Sequence, residues 1–249
     1  MFFRYLENYK FIAFSHRGGA LENDENTISA FQKSIELGYK YIETDVQSTK
    51  DDKLVIFHDN NLKRIANQNI NIADISYDDL KKIKIFDNQT IPLLEDTIEE
   101  LKLVKFNIDP KSDRAAVILN SILKKRKDLD RFCIGSFFHH RVNLFRNSFL
   151  NKMTTSMSKQ EVIKLFFNQY FYFFRQDTPC IQVPVSFKGI TIITKKIIDF
   201  VHSQNKKIHV WTIDDEAEMQ RLINLGVDGI MTDRPSILKN VLIKNNLWN

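Results

Sequence analysis

Glycine, proline and cysteine are all scarce in this sequence. Seven of its 249 residues are glycine and five are proline, which excludes a collagen-like repeat. No Pro/Gly/Ser stretch divides the chain, so one domain over residues 1–249 is expected. The two cysteines, Cys133 and Cys180, lie far apart. That excludes a disulfide-stapled scaffold and points to free buried thiols in a reducing cytoplasm. No apolar run reaches the length of about 18 residues that spans a membrane. The opening MFFRYLENYKFIAF lacks the long apolar core and small-residue cleavage site of a signal peptide. What is present is 43% hydrophobic and 27% charged residues, enough apolar material to exclude a disordered chain. The net charge of +5 suits anionic partners. Lys and Arg are dispersed, however, and a cluster such as Lys124–Lys127 reads as a solvated helix end, so no nucleic-acid face is expected.

Strand-like and helix-like stretches alternate almost from end to end. Phe11–Ser15, Tyr41–Val46, Leu54–Phe57, Lys105–Asp109, Phe132–Ser136, Met153–Ser156, Cys180–Val183, Ile208–Thr212 and Gly229–Thr232 read as strands. Asn26–Leu37 reads as a helix, with Ile28, Phe31 and Ile35 at helical spacing and Gly38 behind it. Leu94–Val104, Ala115–Arg126, Lys195–Gln204 and Glu216–Leu225 read the same way, the last ended by Gly226. Such alternation implies parallel strands joined by right-handed crossovers. Only Gln47–Lys53 separate Val46 from Leu54, whereas a parallel crossover needs about a dozen residues. Leu54–Phe57 should therefore return antiparallel. The remaining eight strands fit an α/β fold, a (β/α)8 TIM barrel with a β-hairpin excursion after strand two and a short insertion. A doubly wound open sheet is the alternative. A tight turn at Asp51-Asp52 would pair Lys50 with Lys53 and set His58 opposite Asp45.

In a barrel of this kind, functional side chains sit where strands end, at the C-terminal face. Strand one ends in Ser15-His16-Arg17-Gly18-Gly19, strand two carries Glu43 and Asp45, and the hairpin ends in His58-Asp59. The next barrel strand carries Asn107, Asp109 and Lys111; the late strands offer Gln182, Trp211 and Asp233, the first two expected in the substrate pocket. Glu43 and Asp45 are two apart on a strand, so they share a face and repel unless a cation joins them. Asp109 completes an all-oxygen set for a hard cation, Mg2+ or Ca2+. An ion-pair network with Arg17 and Lys111 is the competing use of these carboxylates; the neighbouring histidines favour the metal. His16 and His58 would then act as general base and general acid, while Arg17 and Lys111 hold phosphate oxygens. Two histidines, a cation and two basic side chains suit phosphodiester cleavage, where charge builds on phosphoryl oxygens. His139, His140, His202 and His209 lack carboxylate clusters and read as structural.

The stretches SHRGG, ENTISAF, IETDVQST, LVIFHD, FNIDPK, IHVWTID and GVDGIMTDRP run in order from residue 15 to 235. Together they resemble the glycerophosphodiester phosphodiesterase family, with its phosphatidylinositol-phospholipase-C-like TIM barrel. The resemblance implies metal-dependent hydrolysis of glycerophosphodiesters to glycerol 3-phosphate and an alcohol. It implies His16 and His58 as the acid–base pair and Glu43 and Asp45 as metal ligands. Where the family usually carries Glu this chain has Asp109, one methylene shorter, which leaves direct ligation and a bridging water both open. The usual Pro before E-N-T is Asp24, and Asn26 and Thr27 read as helix-start residues first and as site residues second. Alternatives are phospholipase D-like hydrolysis of lysophospholipids or sphingolipids, and a catalytically silent lipid-binding barrel. Asn60–Ile91 takes the place of the family's inserted segment and is expected to be short and polar. In Phe166–Phe174, seven of nine residues are aromatic. The five from Tyr170 to Phe174 cannot all face a barrel, so an apolar-chain or peripheral membrane contact is expected there.

Overall fold

A closed parallel sheet needs side chains of alternating destination: one set fills the lumen, the other meets a shell of helices. The computed structural model describes residues 4–7, 9–86, 88–171 and 178–248. Its strands are β1 (Ile12–His16), β2 (Tyr41–Ser48), β3 (Leu54–Ile56), β4 (Lys105–Pro110), β5 (Phe132–Ile134), β6 (Thr154–Thr155), β7 (Cys180–Val183), β8 (Ser186–Phe187), β9 (Ile190–Thr191), β10 (Lys207–Val210) and β11 (Gly229–Thr232). The helices are α1 (Ile28–Glu36), α2 (Lys63–Ala66), α3 (Tyr77–Leu80), α4 (Leu94–Glu100), α5 (Asp113–Lys124), α6 (His139–Ser148), α7 (Lys159–Phe171), α8 (Lys195–Ser203), α9 (Glu216–Leu225) and α10 (Pro235–Lys244). Pairing runs β6-β5-β4-β2-β1-β11-β10-β7, all parallel. A parallel bridge from Ser156 to Cys180 brings β6 against β7 and closes the ring, so the fold is a TIM barrel and not an open sheet.

β3 returns antiparallel on β2, as its spacing requires, but the register differs from the expected one. Val46 pairs with Ile56 and Ser48 with Leu54, a slip of one residue. The loop is Lys50–Asp52, with Asp52 left-handed at φ 61° and Thr49 N donating to Lys53 O at 2.9 Å. Three-residue hairpin loops adopt this form, and Asp tolerates the left-handed position. Asp45 therefore lies opposite Phe57, whose amide donates to its carbonyl at 3.0 Å. His58 still reaches the mouth because the strand stops at Ile56 and the chain bends at 58–60. Gln47 Nε2 holds that bend, lying 3.0–3.2 Å from His58 O, Asp59 O and Asn60 Oδ1.

The segment 60–91 is more than a polar loop. It carries α2 and α3 and buries Leu62, Ile72, Leu80, Ile85 and Ile91 against Val55 and Phe57 of the hairpin. Isolated apolar residues in a polar stretch conceal such a small satellite core. Of the aromatic run Tyr170–Phe174, on which a membrane contact is expected, residues 172–174 lie outside the described residues.

The lumen is filled in levels. At its floor the turn Arg4–Leu6 inserts a fully buried Tyr5. Lys105 Nζ donates to Arg4 O and Tyr5 O at 2.9 Å and lies 5.3–5.8 Å from the ring centres of Tyr5, Tyr9 and Tyr41. Above them pack Phe14, Cys133, Cys180 and Met231; both thiols are free and buried. Asn107 and Gln182 then exchange two amide hydrogen bonds across the lumen, at 3.2 and 3.3 Å. His209 is buried beside them, its ring 5.0 Å from that of Phe14. A Cβ at Gly229 would lie 2.6 Å from Ile12 O and 2.9 Å from His209 Cδ2, so only glycine lets β11 pass there.

Burial pushes the His209 imidazole down to about 4. The unfolded chain titrates near 6.5 and takes up a proton that the folded ring refuses. The ring's contribution is full above about pH 6.5 and is lost as pH falls towards 4, a difference of roughly 3 kcal/mol. Urea unfolding of His209→Gln across that range should show a stability slope flatter by about this amount. An unchanged slope would mean that another group carries the acid sensitivity.

Candidate active site

The C-terminal ends of the strands surround a cavity of about 580 Å3, and all of the expected site residues line it: His16, Arg17, Glu43, Asp45, His58, Asp109, Lys111, Gln182 and Trp211. Strand register brings the charged ones together. His16 pairs with Glu43, Glu43 with Asn107, and Asp45 with Asp109.

Asp45 is the hub. Only 1% of the residue is exposed, and a buried carboxylate demands partners. Lys111 Nζ lies 2.7 Å from Asp45 Oδ1 and 2.8 Å from Asp109 Oδ2. Arg17 Nε lies 3.0 Å from Asp45 Oδ2. Asn26 Nδ2 donates to the same oxygen at 3.1 Å while its Oδ1 accepts from Thr44 Oγ1 at 2.8 Å. Thr27 is the helix cap, accepting from Ala30 N. Asn26, one residue earlier and left-handed at φ 58°, instead serves the site. Arg17 is also left-handed, at φ 52°, and its amide donates to Glu43 O. The glycine that follows cannot be replaced simply, since a Cβ at Gly18 would lie 2.6 Å from Ala30 Cβ.

Each histidine is held by a carboxylate at Nδ1. His16 Nδ1 lies 2.7 Å from Asp233 Oδ1, and its Nε2 lies 3.6 Å from Glu43 Oε2. Asp214 fixes the Asp233 turn by accepting from Asp233 N and Thr232 Oγ1. His58 Nδ1 lies 2.7 Å from Asp59 Oδ1. Arg64, from the insertion, donates through Nε to Asp59 Oδ2 at 2.7 Å and grips both Glu25 oxygens at 2.7 and 2.8 Å. Glu25 in turn lies 3.3 Å from Arg17 Nη1. His58 is thus tied through Asp59, Arg64, Glu25 and Arg17 to Asp45, while His16 is held by Asp233 and Glu43.

Burial is opposed differently at each carboxylate. At Asp45 the charges of Lys111 and Arg17 outweigh burial and hold it below the usual range. At Asp109 burial and the Asp45 charge win over Lys111, and the carboxyl is raised. Burial and Asp45 also push Glu43 up to about 7, against the pull of His16, Lys111 and Arg17. Burial alone would depress His16; the Glu43 and Asp233 carboxylates reverse this and raise it. Six carboxylates (Glu25, Glu43, Asp45, Asp59, Asp109 and Asp233) face three permanent cations (Arg17, Arg64 and Lys111).

That excess of negative charge, with Glu43 Oε2 buried and lacking a hydrogen-bond partner, fits a hard cation. The donors are all oxygen, as Mg2+ and Ca2+ prefer. Among the described residues, no three His, Cys, Asp or Glu side chains are already drawn together as a cage. Asp45 and Asp109 close on the Lys111 ammonium instead.

Asp59 and Asp233, noted at strand ends in the sequence without an assigned role, hold the two histidines, and Asn26, Glu25 and Arg64 also join the site. The H-D dipeptide at 58–59 and the T-D-R-P run signal the first two. Nothing local reveals Arg64 and Glu25, which meet across 39 residues. Gln182 lies under the mouth with Asn107, and Trp211 forms the far wall, its ring edge-on to Phe137 at 5.7 Å. His139, His140 and His202 have partners outside the site: His140 with Asp113, His202 with Asp228, and His139 with Ser158.

A closed parallel barrel with charge of both signs gathered around one strand-end opening places the protein among (β/α)8-barrel enzymes. The sequence model of the Glycerophosphoryl diester phosphodiesterase family matches residues 16–237, and the chain belongs to that family. It is 30% identical to the Mycobacterium tuberculosis protein named probable glycerophosphodiester phosphodiesterase 2, over 96% of this chain and 93% of that one. Identity to human lysophospholipase D GDPD1 is 28%, covering 92% of this chain and 85% of the other. The crystal structure of the Thermotoga maritima glycerophosphodiester phosphodiesterase matches with a TM-score of 0.73 at 25% identity, over 96% of this chain and all of that one.

Removing one member of the buried clasp strands its partners. Lys111→Met should lower stability by roughly 3 kcal/mol, read by urea unfolding. Combined with Asp45→Asn, the loss should fall short of the sum by roughly 0.5–3 kcal/mol. Strict additivity would show that Lys111 and Asp45 do not stabilise one another.

Proposed function

We propose that this protein hydrolyses glycerophosphodiesters to glycerol 3-phosphate and an alcohol. The observation that carries the reading is the pair of carboxylate-held rings in one cavity: His16 on Asp233 and His58 on Asp59, with Arg17 and Lys111 lining the same cavity. A carboxylate at Nδ1 fixes the tautomer and leaves Nε2 as the nitrogen that exchanges protons with a ligand. One histidine takes the proton of the attacking hydroxyl. The other gives a proton to the leaving alkoxide. Arg17 and Lys111 place positive charge beside the phosphoryl oxygens, where negative charge grows in the transition state. Asp59 and Asp233 act through the rings as positioning residues.

Glu43 and Asp45, with Asp109 beside them, are the side chains that would hold Mg2+ or Ca2+, and the ion would supply further positive charge at the phosphate. The orphaned Glu43 oxygen and the surplus of carboxylates support this assignment. Two free buried thiols fit a reducing cytoplasm, and no described helix is long and apolar enough to cross a membrane.

His16→Ala and His58→Ala should each lower kcat on a glycerophosphodiester by roughly 10²–10⁴-fold while leaving the fold intact by circular dichroism. Near-normal turnover in both would overturn the acid–base assignment. Activity should disappear in excess chelator and return with Mg2+ or Ca2+, and Glu43→Gln should weaken that recovery more than Asp109→Asn. Full turnover by protein proven free of metal would refute the cation site.

A further inference from the structure

The cavity is electrically lopsided. Its lining carboxylates, Glu43, Asp45 and Asp109, all stand on β2 and β4, where Arg17 and Lys111 reach Asp45. The opposite flank, built from β5 to β10, is mostly apolar, and the one charged side chain among its described lining residues is Lys159. The volume, about 580 Å3, is far more than a glycerol phosphate unit fills, so the rest of a bound diester has this flank to occupy.

The fold makes no use of the Lys159 charge. Lys159 is exposed at the first position of α7 and forms no ion pair with any described residue. A cation there gains nothing from the helix, since the first turn is the positive end of the macrodipole. What holds the ammonium is an aromatic face: Nζ lies 5.1 Å from the centre of the Phe187 ring. Lys188, at the turn of the β8–β9 hairpin, brings a second ammonium to 5.9 Å from the same ring, and it too forms no ion pair with a described residue. A ring face attracts a cation without neutralising it. Two like charges drawn to one ring repel each other, and an anion beside them relieves that repulsion.

Sign is what such a flank can select. Glycerol is uncharged, so only the alcohol half of a glycerophosphodiester can respond to a cation beyond the phosphate. We propose that Lys159, seated on Phe187 with Lys188 at the same ring, is an anion subsite for the leaving alcohol, so that the preferred diesters carry a second negative group, a carboxylate or a phosphomonoester, on that alcohol. The diester phosphate lies at Arg17 and Lys111, and the second anion reaches Lys159 along the apolar wall. A choline-type alcohol brings its ammonium to the same place and is repelled. This rests on the hydrolysis proposed above and adds the charge of the alcohol that is cleaved off.

The test uses the full chain supplied with Mg2+ or Ca2+ and four diesters of glycerol 3-phosphate with two-carbon alcohols that differ in charge: glycolate, ethylene glycol monophosphate, ethylene glycol and choline. kcat/KM on the two anionic alcohols should exceed that on ethylene glycol by about two- to fivefold, the worth of one exposed ion pair, and choline should fall below it. Each value is divided by that for the ethylene glycol diester in the same variant, so that a general loss of activity cancels. Lys159→Gln should remove most of the anionic preference and Lys159→Glu should invert it. Lys124→Glu, a charge reversal of the same size at the last position of α5 and outside the cavity lining, should leave it in place. Rates independent of the alcohol's charge, or an unchanged order in Lys159→Glu, overturn the subsite. An equal shift in Lys124→Glu overturns it too, in favour of net charge alone. A second arm separates this from failure of the hydrolysis itself. Calorimetric titration of His58→Ala with the same four diesters should show affinity falling from anionic to neutral to cationic alcohols, and adding Lys159→Glu should reverse the order, whether or not any diester is turned over. Affinities that do not follow charge, absence of binding included, overturn the subsite on their own.

Discussion

One buried anion organises the mouth of this barrel. Asp45 sits on β2, almost wholly removed from water, where Lys111 and Arg17 hold it ionised and Asn26 donates to it. These partners come from the end of β4, the turn after β1 and the entry to α1. Meeting the charge of Asp45 therefore fixes the relative placement of three loops, since a buried charge without partners costs several kcal/mol. The same arrangement determines what is left over. Glu43, on the same face two residues earlier, has an oxygen that no protein donor satisfies. The clasp stabilises one carboxylate and leaves its neighbour available for chemistry.

Much of this was legible in the sequence, and the reason is locality. The eight parallel strands and the antiparallel return of β3 follow from alternation and from the seven residues between Val46 and Leu54, both short-range properties. The hairpin register was not legible, because an Asp-Asp pair does not specify whether its loop has two residues or three. The left-handed Asp52 decides that, and the slip would have turned His58 away had β3 continued past Ile56. Residues on strand ends, such as His16, Glu43 and Asp109, could be placed by periodicity. Asn26 and Arg64 could not. Asn26 looks like a helix-start residue until its inward turn at positive φ is seen, and Arg64 earns its place only through partners from other segments.

The two flanks of the cavity come from different parts of the chain. β1, β2, β4 and the β3 hairpin supply the carboxylates, the two histidines, Arg17 and Lys111; the segments from β5 to β10 supply most of the apolar residues and Lys159. A rigid barrel lets such loop sets differ independently. The insertion, with its small core beneath the hairpin, stiffens the charged side by carrying Arg64 to Asp59 and Glu25.

The pairing of β1 with β11 also bears on how the protein comes into being. His16 and Asp233 stand 217 residues apart in sequence, and the ring closes only when its last strand docks beside its first. During synthesis β1 waits with one edge unpaired while most of the chain emerges, and long-range parallel pairing is slow and exposes such edges to other chains. The histidine at the end of β1 meets its carboxylate in the same event that seals the barrel, so a nascent chain cannot acquire a finished site before it has a finished fold.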